Sequence, residues 1–341
     1  MAFFHRAPRT PVPQEGRTGI LLLNLGTPDD TGYRAVRRYL KEFLSDRRVI
    51  EASPLIWQPI LQGVVLSVRP FRSGEAYARI WDKTHNASPL RVYTRAQAEA
   101  LQTRLGTETP VAWGMRYGRP SVSDAVDELM DRGCDRIICL PLYPQYSATT
   151  TATANDQFFR SLMKLRRQPA VHTIPSFPDH PAYIKALENS VRDRLADLPF
   201  RPQRIIASFH GLPEQYVEAG DYYPQDCERT IVALRKALDL RDEQMPVTYQ
   251  SRFGPTEWVK PYTAPFAEAL PAQGITRIAV IMPGFMADCI ETLDEIGNEL
   301  RHAFMNAGGE EFALIPCLND SKDAIDVIET LAVQAMKGWA T

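Results

Sequence analysis

The sequence predicts an α/β protein built from parallel sheets with helices on both faces. Two observations carry this. Short apolar runs alternate with longer stretches of helical spacing along the whole chain, and three strand-like elements recur in the same order in the second half. The strand candidates are Gly19–Leu25, Pro110–Met115, Arg136–Leu142, Ala170–Ile174, Arg204–Phe209, Val247–Ser251, Arg277–Met282 and Phe312–Ile315. Between them "RAVRRYLKEFLSD", "SVSDAVDELMDRG", "AYIKALENSVRDRLADL" and "CERTIVALRKALDL" place apolar residues three and four apart, which predicts amphipathic helices.

The recurrence pairs "GILLLNLGTP" with "RIIASFHGLP", "MRYGRP" with "SRFGPT", and "GCDRIICLPLYP" with "GITRIAVIMPGF". An insertion from Leu40 to about Leu105 lengthens the first copy. Two similar Rossmann-like lobes are therefore expected, facing each other across an active-site cleft. In such sheets ligands sit beyond the carboxyl ends of the strands. No strand runs into G-x-G-x-x-G and no G-x-x-x-x-G-K occurs, which argues against a dinucleotide cofactor and a phosphate loop.

Composition narrows the class. A net charge of −2 gives no basic field for nucleic acid. Five cysteines, an odd number without a C-x-x-C pair, favour a reducing compartment over a disulfide framework. The opening "MAFFHRAPRTPVPQEGR" has no uninterrupted apolar core and reads as a disordered tail, not a signal peptide. The apolar run "PLIWQPILQGVVLSV", flanked by Arg47, Arg48, Arg69 and Arg72, is too short to span a bilayer. It reads either as a helix buried or covering a cleft, or as a greasy lip meeting a hydrophobic ligand or a membrane surface.

Two constellations carry candidate chemistry. In "RIIASFHGLP" a strand delivers His210 at its exit, where a space-filling turn residue is the plain alternative. In "PGFMADCIETLDEIGNELRHAF" the carboxylates Asp288, Glu291, Glu295 and Glu299 recur at steps of three, four and four, predicting one acidic face of a helix. A solvated stripe would look the same; a stripe turned into a cleft would pass cations or protons. His210 and Glu291, taken as facing each other from opposite lobes, offer one imidazole nitrogen and one carboxylate oxygen. That donor set suits Fe(II) or Zn(II) held transiently and is too small for a structural zinc site.

At this point the motifs "LLLNLGTP", "ASPL", "MRYGRPSV", "LPLYPQYSATTT", "SFHGLPEQYVEAGDYYPQDC", "YQSRFGP" and "DCIETLDEI" together resemble the ferrochelatase family over nearly the whole chain. The resemblance implies insertion of Fe(II) into protoporphyrin IX with release of two protons, the last step of haem biosynthesis, by a lyase. It implies His210 and Glu291 as catalytic and metal-site residues and Asp288, Glu295 and Glu299 on an acidic path. Porphyrin contacts are implied at Arg116, Tyr117, Tyr143, Ser147 and Thr149. The implied division is a tail over 1–17, an N-terminal lobe over 18–175 with an apolar lip at about 50–90, and a C-terminal lobe over 176–318. That last lobe would carry both His210 and Glu291, and a final helix over 319–341 would pack back on the N-terminal lobe.

A neutral imidazole, with its ordinary pKa of about 6.5, can ligate Fe(II) or accept one pyrrole proton, and Glu291 can do either in turn; the assignment stays open between them. Gly211 is expected to admit the flat macrocycle at close range. Family members that carry a [2Fe–2S] cluster hold it through C-terminal cysteines and one in the "YPQYS" loop. Here that loop continues Ser147-Ala148-Thr149 and the terminus "VQAMKGWAT" has no cysteine, so no cluster and no other resident cofactor is expected. The alternatives are a chelatase for another tetrapyrrole or metal, such as coproporphyrin or cobalt, and a non-catalytic haem-binding protein. The partners expected are porphyrin and ferrous iron, with no nucleic acid. The expected location is the cytoplasm, peripheral to the inner face of the membrane through the apolar lip.

Overall fold

The computed structural model describes residues 12–339. All eight predicted strands form: β1 (Thr18–Thr27), β2 (Val111–Gly118), β3 (Arg136–Pro141), β4 (Ala170–Thr173), β5 (Arg204–His210), β6 (Val247–Gln250), β7 (Arg277–Ile281) and β8 (Glu311–Leu314). They pair in parallel into two four-stranded sheets, ordered β2-β1-β3-β4 and β6-β5-β7-β8. Adding four to each number of the first order gives the second. The internal echo in the sequence is thus an echo of topology, since its three paired motifs fall on β1 and β5, the ends of β2 and β6, and β3 and β7.

The central strands read as unbroken apolar runs because parallel sheets are covered on both faces. Ile20, Leu21, Leu22 and Leu23 of β1 are all buried, as are Ile205–Phe209 of β5. The flanking helices bury one stripe each. Helix Val122–Asp131 opens with a reciprocal capping box between Ser121 and Asp124 and buries Val122, Ala125, Val126, Leu129 and Met130.

The chain divides into two compact units. Unit 1 runs to Leu142 and adds Ala148–Pro175 and the residues from Ile325 on; unit 2 is Tyr143–Ser147 with Ser176–Ala324. The tail expected over 1–17 lies outside the described residues as far as residue 11. Closer to β1, the Gln14 N–H donates to the Gly133 carbonyl at 3.0 Å and the Gly16 N–H to Asp135 at 3.0 Å, so this part of the chain is tied to the start of β3. Within unit 1, the last helix (Lys322–Lys337) is held from Ile325 on: Arg104 pairs with Asp326 and Glu329, and Trp339 stacks on His172 at 3.9 Å.

The insertion in unit 1 supplies the apolar segment. Helix Pro54–Ile60 passes through a wider π-helical turn, Leu61–Val65, into helix Leu66–Ile80. Pro70 sits inside that last helix and cannot donate to the Leu66 carbonyl, and the Tyr33 hydroxyl takes over that bond at 3.1 Å. Leu61 and Leu66 pack on Val36, Tyr39, Leu40 and Leu44 of helix Tyr33–Leu44. The opposite side is apolar and open: Ile56, Ile60, Val64, Val68 and Phe71 follow at helical steps, with Leu55 at 89% exposure beside them. The reading as a wholly buried helix is therefore corrected. One side of the segment is core and the other faces outward.

Candidate active site

In a sheet of order 6-5-7-8 the chain leaves β5 toward β6 on one side and returns to β7 on the other, so a crevice opens at the carboxyl ends of β5 and β7. His210 is the last residue of β5 and the acidic stretch follows β7. Both belong to unit 2. His210 and Glu291 therefore do not come from opposite lobes, because β5 and β7 are hydrogen-bonded neighbours of one sheet.

The histidine is half-buried, and its Nδ1 lies 2.7 Å from the Gly211 carbonyl oxygen. A carbonyl only accepts, so Nδ1 carries the proton and the Nε2 lone pair of the neutral ring is left to ligate or to take a proton. Gly211 has a different task from the one its position suggested. A Cβ there would lie 2.7 Å from the Gln250 carbonyl oxygen and 3.0 Å from the Trp258 ring. The missing side chain makes room for the protein's own β6 end and an indole, not for a macrocycle.

The neighbour of His210 in the sheet is Gln250 of β6. Its Nε2 donates to the Glu291 carbonyl oxygen at 2.8 Å and lies 3.4 Å from the Glu295 carboxylate. Glu295 also accepts the Ser251 N–H at 2.6 Å and the Ser251 hydroxyl at 2.5 Å. Burial, chiefly, raises the Glu295 carboxyl above its ordinary range; the Ser251 bonds and the charge of His210 work against this, and Glu291 adds to it. His210, Glu291 and Glu295 thus form one electrostatic group.

The acidic row differs from its prediction in two ways. Glu291–Leu300 winds as a π-helix, with i→i+5 bonds, before continuing as an α-helix over Arg301–Asn306. The step of four keeps its meaning there: Thr292, Ile296 and Leu300 are buried, and the adjacent row of Glu291, Glu295 and Glu299 goes from half-buried to exposed. Asp288 leaves the row. It is 3% exposed, and its carboxylate accepts the Thr292 hydroxyl at 2.8 Å and the Asn319 amide at 2.7 Å, while its N–H donates to Asn319 at 2.8 Å. Those bonds tie Asp288 and the start of the π-helix to the loop after β8, apart from the half-buried to exposed row of glutamates.

Comparison with known proteins gives this arrangement its context. A family model described as ferrochelatase matches residues 17–336. A ferrochelatase of Gluconobacter oxydans is 72% identical over 340 residues, 99% of each chain. The chain belongs to the ferrochelatase family. A ferrochelatase of Brucella anthropi is 54% identical over 95% of this chain and 93% of its own. Among solved structures, SirB from Bacillus subtilis with Fe3+ covers 94% of this chain and 96% of its own, with a TM-score of 0.57 at 10% identity. The sirohydrochlorin chelatase SirB from Bacillus subtilis subspecies spizizenii in complex with cobalt gives 0.55 at 9%. At that identity the likeness is one of fold.

The residues that the ferrochelatase resemblance assigns to porphyrin are placed unequally. Tyr117 has no exposed surface, and its hydroxyl donates to Asp46 at 2.9 Å. Direct contact with a ligand is closed to it in this conformation. Arg116 pairs with the same Asp46 and donates from Nε to the Thr153 hydroxyl at 2.7 Å. Burial works to raise the Asp46 carboxyl, but the bonds from Thr153 and the Arg48 N–H and the Arg116 charge outweigh it and hold it low. Ser147 is buried with its hydroxyl on Asp221 at 2.8 Å, and Tyr143 is buried too. Thr149, half-buried in the π-helical stretch Ala148–Ala152, retains open surface.

Sequence reasoning missed Gln250, Ser251 and Asp46. The first two stand in the quoted motif "YQSRFGP", where a polar pair directly after a strand was the available signal. Nothing local marks Asp46, whose partners lie 70 and 107 residues away.

Proposed function

We propose that this ferrochelatase-family lyase inserts Fe(II) into protoporphyrin IX, releasing two protons, and that His210 and Glu291 carry the exchange. The observation that supports this most is the imidazole whose Nδ1 is committed to a carbonyl, in one electrostatic group with Glu291, whose main-chain carbonyl Gln250 holds, and with the clamped Glu295 carboxylate. Fe(II) enters and two pyrrole N–H bonds break, so the site must offer donors for the cation and acceptors for two protons. Nε2 of His210 and the Glu291 carboxylate serve as these, and Glu295 and the exposed Glu299 pass protons outward. Porphyrin and ferrous iron are substrates. Thr149 is the porphyrin contact of its set; Arg116 and Tyr117 hold its segment through Asp46 and Thr153. A single-turnover mixture of the purified chain, Fe(II) and protoporphyrin under anaerobic conditions should shift the Soret band to that of protohaem. An unchanged free-porphyrin spectrum would reject chelatase activity, and faster turnover with cobalt or coproporphyrin would redirect it.

No iron–sulfur cluster belongs to this reading. Ala148 stands at the loop position, and the five cysteines are free, four of them buried. Freshly purified anaerobic protein is expected to lack stoichiometric iron and acid-labile sulfide. Finding both would overturn the expectation.

A peripheral seat on the membrane also belongs to it. Among the described residues no helix is long and apolar enough to cross a bilayer. The exposed side of residues 54–80 instead combines Ile56, Ile60, Val64, Val68 and Phe71 with the exposed Arg72, which suits an anionic interface. The chain should co-float with vesicles containing anionic lipid, and a Val64→Asp, Val68→Asp double variant should not. Equal flotation of the two would reject this seat.

A further inference from the structure

The clamp on Glu295 lies outside the roles assigned above. Ser251 follows β6 directly and adopts φ +66°, the left-handed region that residues other than glycine avoid. That turn points its N–H and its hydroxyl the same way, so each oxygen of the Glu295 carboxylate receives one bond, at 2.6 and 2.5 Å. Behind it, the Gln250 amide is oriented by the buried Ser208 hydroxyl, which donates to Oε1 at 2.7 Å and leaves Nε2 for Glu291 and Glu295. The Ser208 and Thr263 hydroxyls are 2.8 Å apart, and Thr263 donates to Thr248 at 2.8 Å. An enclosed polar chain thus ends on the Glu295 carboxylate and the Glu291 main-chain carbonyl. A carboxylate has about four lone-pair sites, so the two Ser251 bonds and the longer Gln250 contact still leave capacity for a proton or a cation.

We propose that Ser251, supported by Gln250, is a positioning residue for metal insertion: it fixes the Glu295 carboxylate beside Glu291 before a proton or cation arrives. The inference rests on the ferrochelatase reading and on Glu295 acting in proton transfer. A glutamate free to rotate would spend part of each turnover out of place, whereas a clamped one is ready, as preorganised groups are. The plain alternative is that Glu295 merely steadies the Ser251 turn.

A double-substitution cycle on the full chain separates the two. Ser251→Ala, Ser251→Gly, Glu295→Gln and the Ser251→Ala, Glu295→Gln pair would be assayed for kcat, porphyrin KM and melting temperature. Ser251→Ala should lower kcat roughly tenfold, the usual scale for one hydrogen bond to a charged group, with porphyrin KM unchanged. Ser251→Gly accepts the left-handed backbone without strain but has no hydroxyl, and should show the same loss. With Glu295 already replaced, Ser251→Ala should cost less than about twofold further. Wild-type turnover in either single variant of Ser251, or losses that multiply in the pair, would overturn the positioning role. If Ser251→Ala does not fold, the glycine variant decides alone. An inactive wild type would instead reject the ferrochelatase reading, and this inference with it.

Discussion

His210→Ala is expected to abolish metal insertion in a chain that still folds. The ring terminates β5 half-buried, and among the described residues its one internal hydrogen bond is the Nδ1 contact to the Gly211 carbonyl. Losing it costs about 1 kcal/mol, a small part of a domain's stability. Ile205–Phe209, which anchor the strand, stay buried, and the parallel pairing to β6 and β7 is untouched. What disappears is the imidazole at the carboxyl end of β5. A positioned acid–base group contributes roughly 10²–10⁴-fold, and loss of a metal donor adds to that. Turnover, circular dichroism and melting temperature of the variant check the expectation. A folded variant that keeps roughly a tenth of wild-type turnover would show that His210 is not central.

The second large effect is expected at Glu291. A carboxamide is a poor ligand and accepts no proton, so Glu291→Gln should lower turnover by orders of magnitude. Glu295→Gln should cost less and Glu299→Gln least, since Glu299 is exposed and water can stand in for it. Porphyrin affinity should stay near normal in all three. Stability supplies an independent readout at Glu295. Its folded carboxyl titrates above the ordinary range, so the native state binds that proton more tightly than the unfolded chain does. Native stability from this group is therefore greatest in acid and falls as pH rises from the unfolded value, about 4.3, through the raised folded one. Glu295→Gln removes the penalty: it should melt above wild type near neutral pH, and the two curves should converge on acidification. A gap that persists below about pH 4 would locate the stabilisation elsewhere. Full activity in Glu291→Gln would reject its place at the metal, whatever the other two show.

Much of this was legible in the sequence. Eight strands could be read because parallel strands covered on both faces leave unbroken apolar runs, and the repeated topology because three strand-end motifs recur in order. His210 and the carboxylate row could be placed at strand ends, since side-chain spacing along one element is a local property. The sequence by itself thus determined the elements, their order and the candidates for chemistry.

Only the tertiary structure decided which candidates share a site. Spacing gives the angle at which a side chain leaves its helix, not what it meets: Asp288 keeps step with the row yet is tied to Asn319, 31 residues on. Tyr117 follows Arg116 in a familiar motif yet is enclosed around Asp46. Gly211 looked like room for a ligand, and the room is taken by Trp258 and the Gln250 carbonyl. Ser251 is the sharpest instance, because its role depends on a left-handed turn and on a carboxylate 44 residues away. Backbone pattern is set by neighbours in the chain, whereas burial, pairing and proton affinity are set by neighbours in space, and these exist only once the sheets have closed.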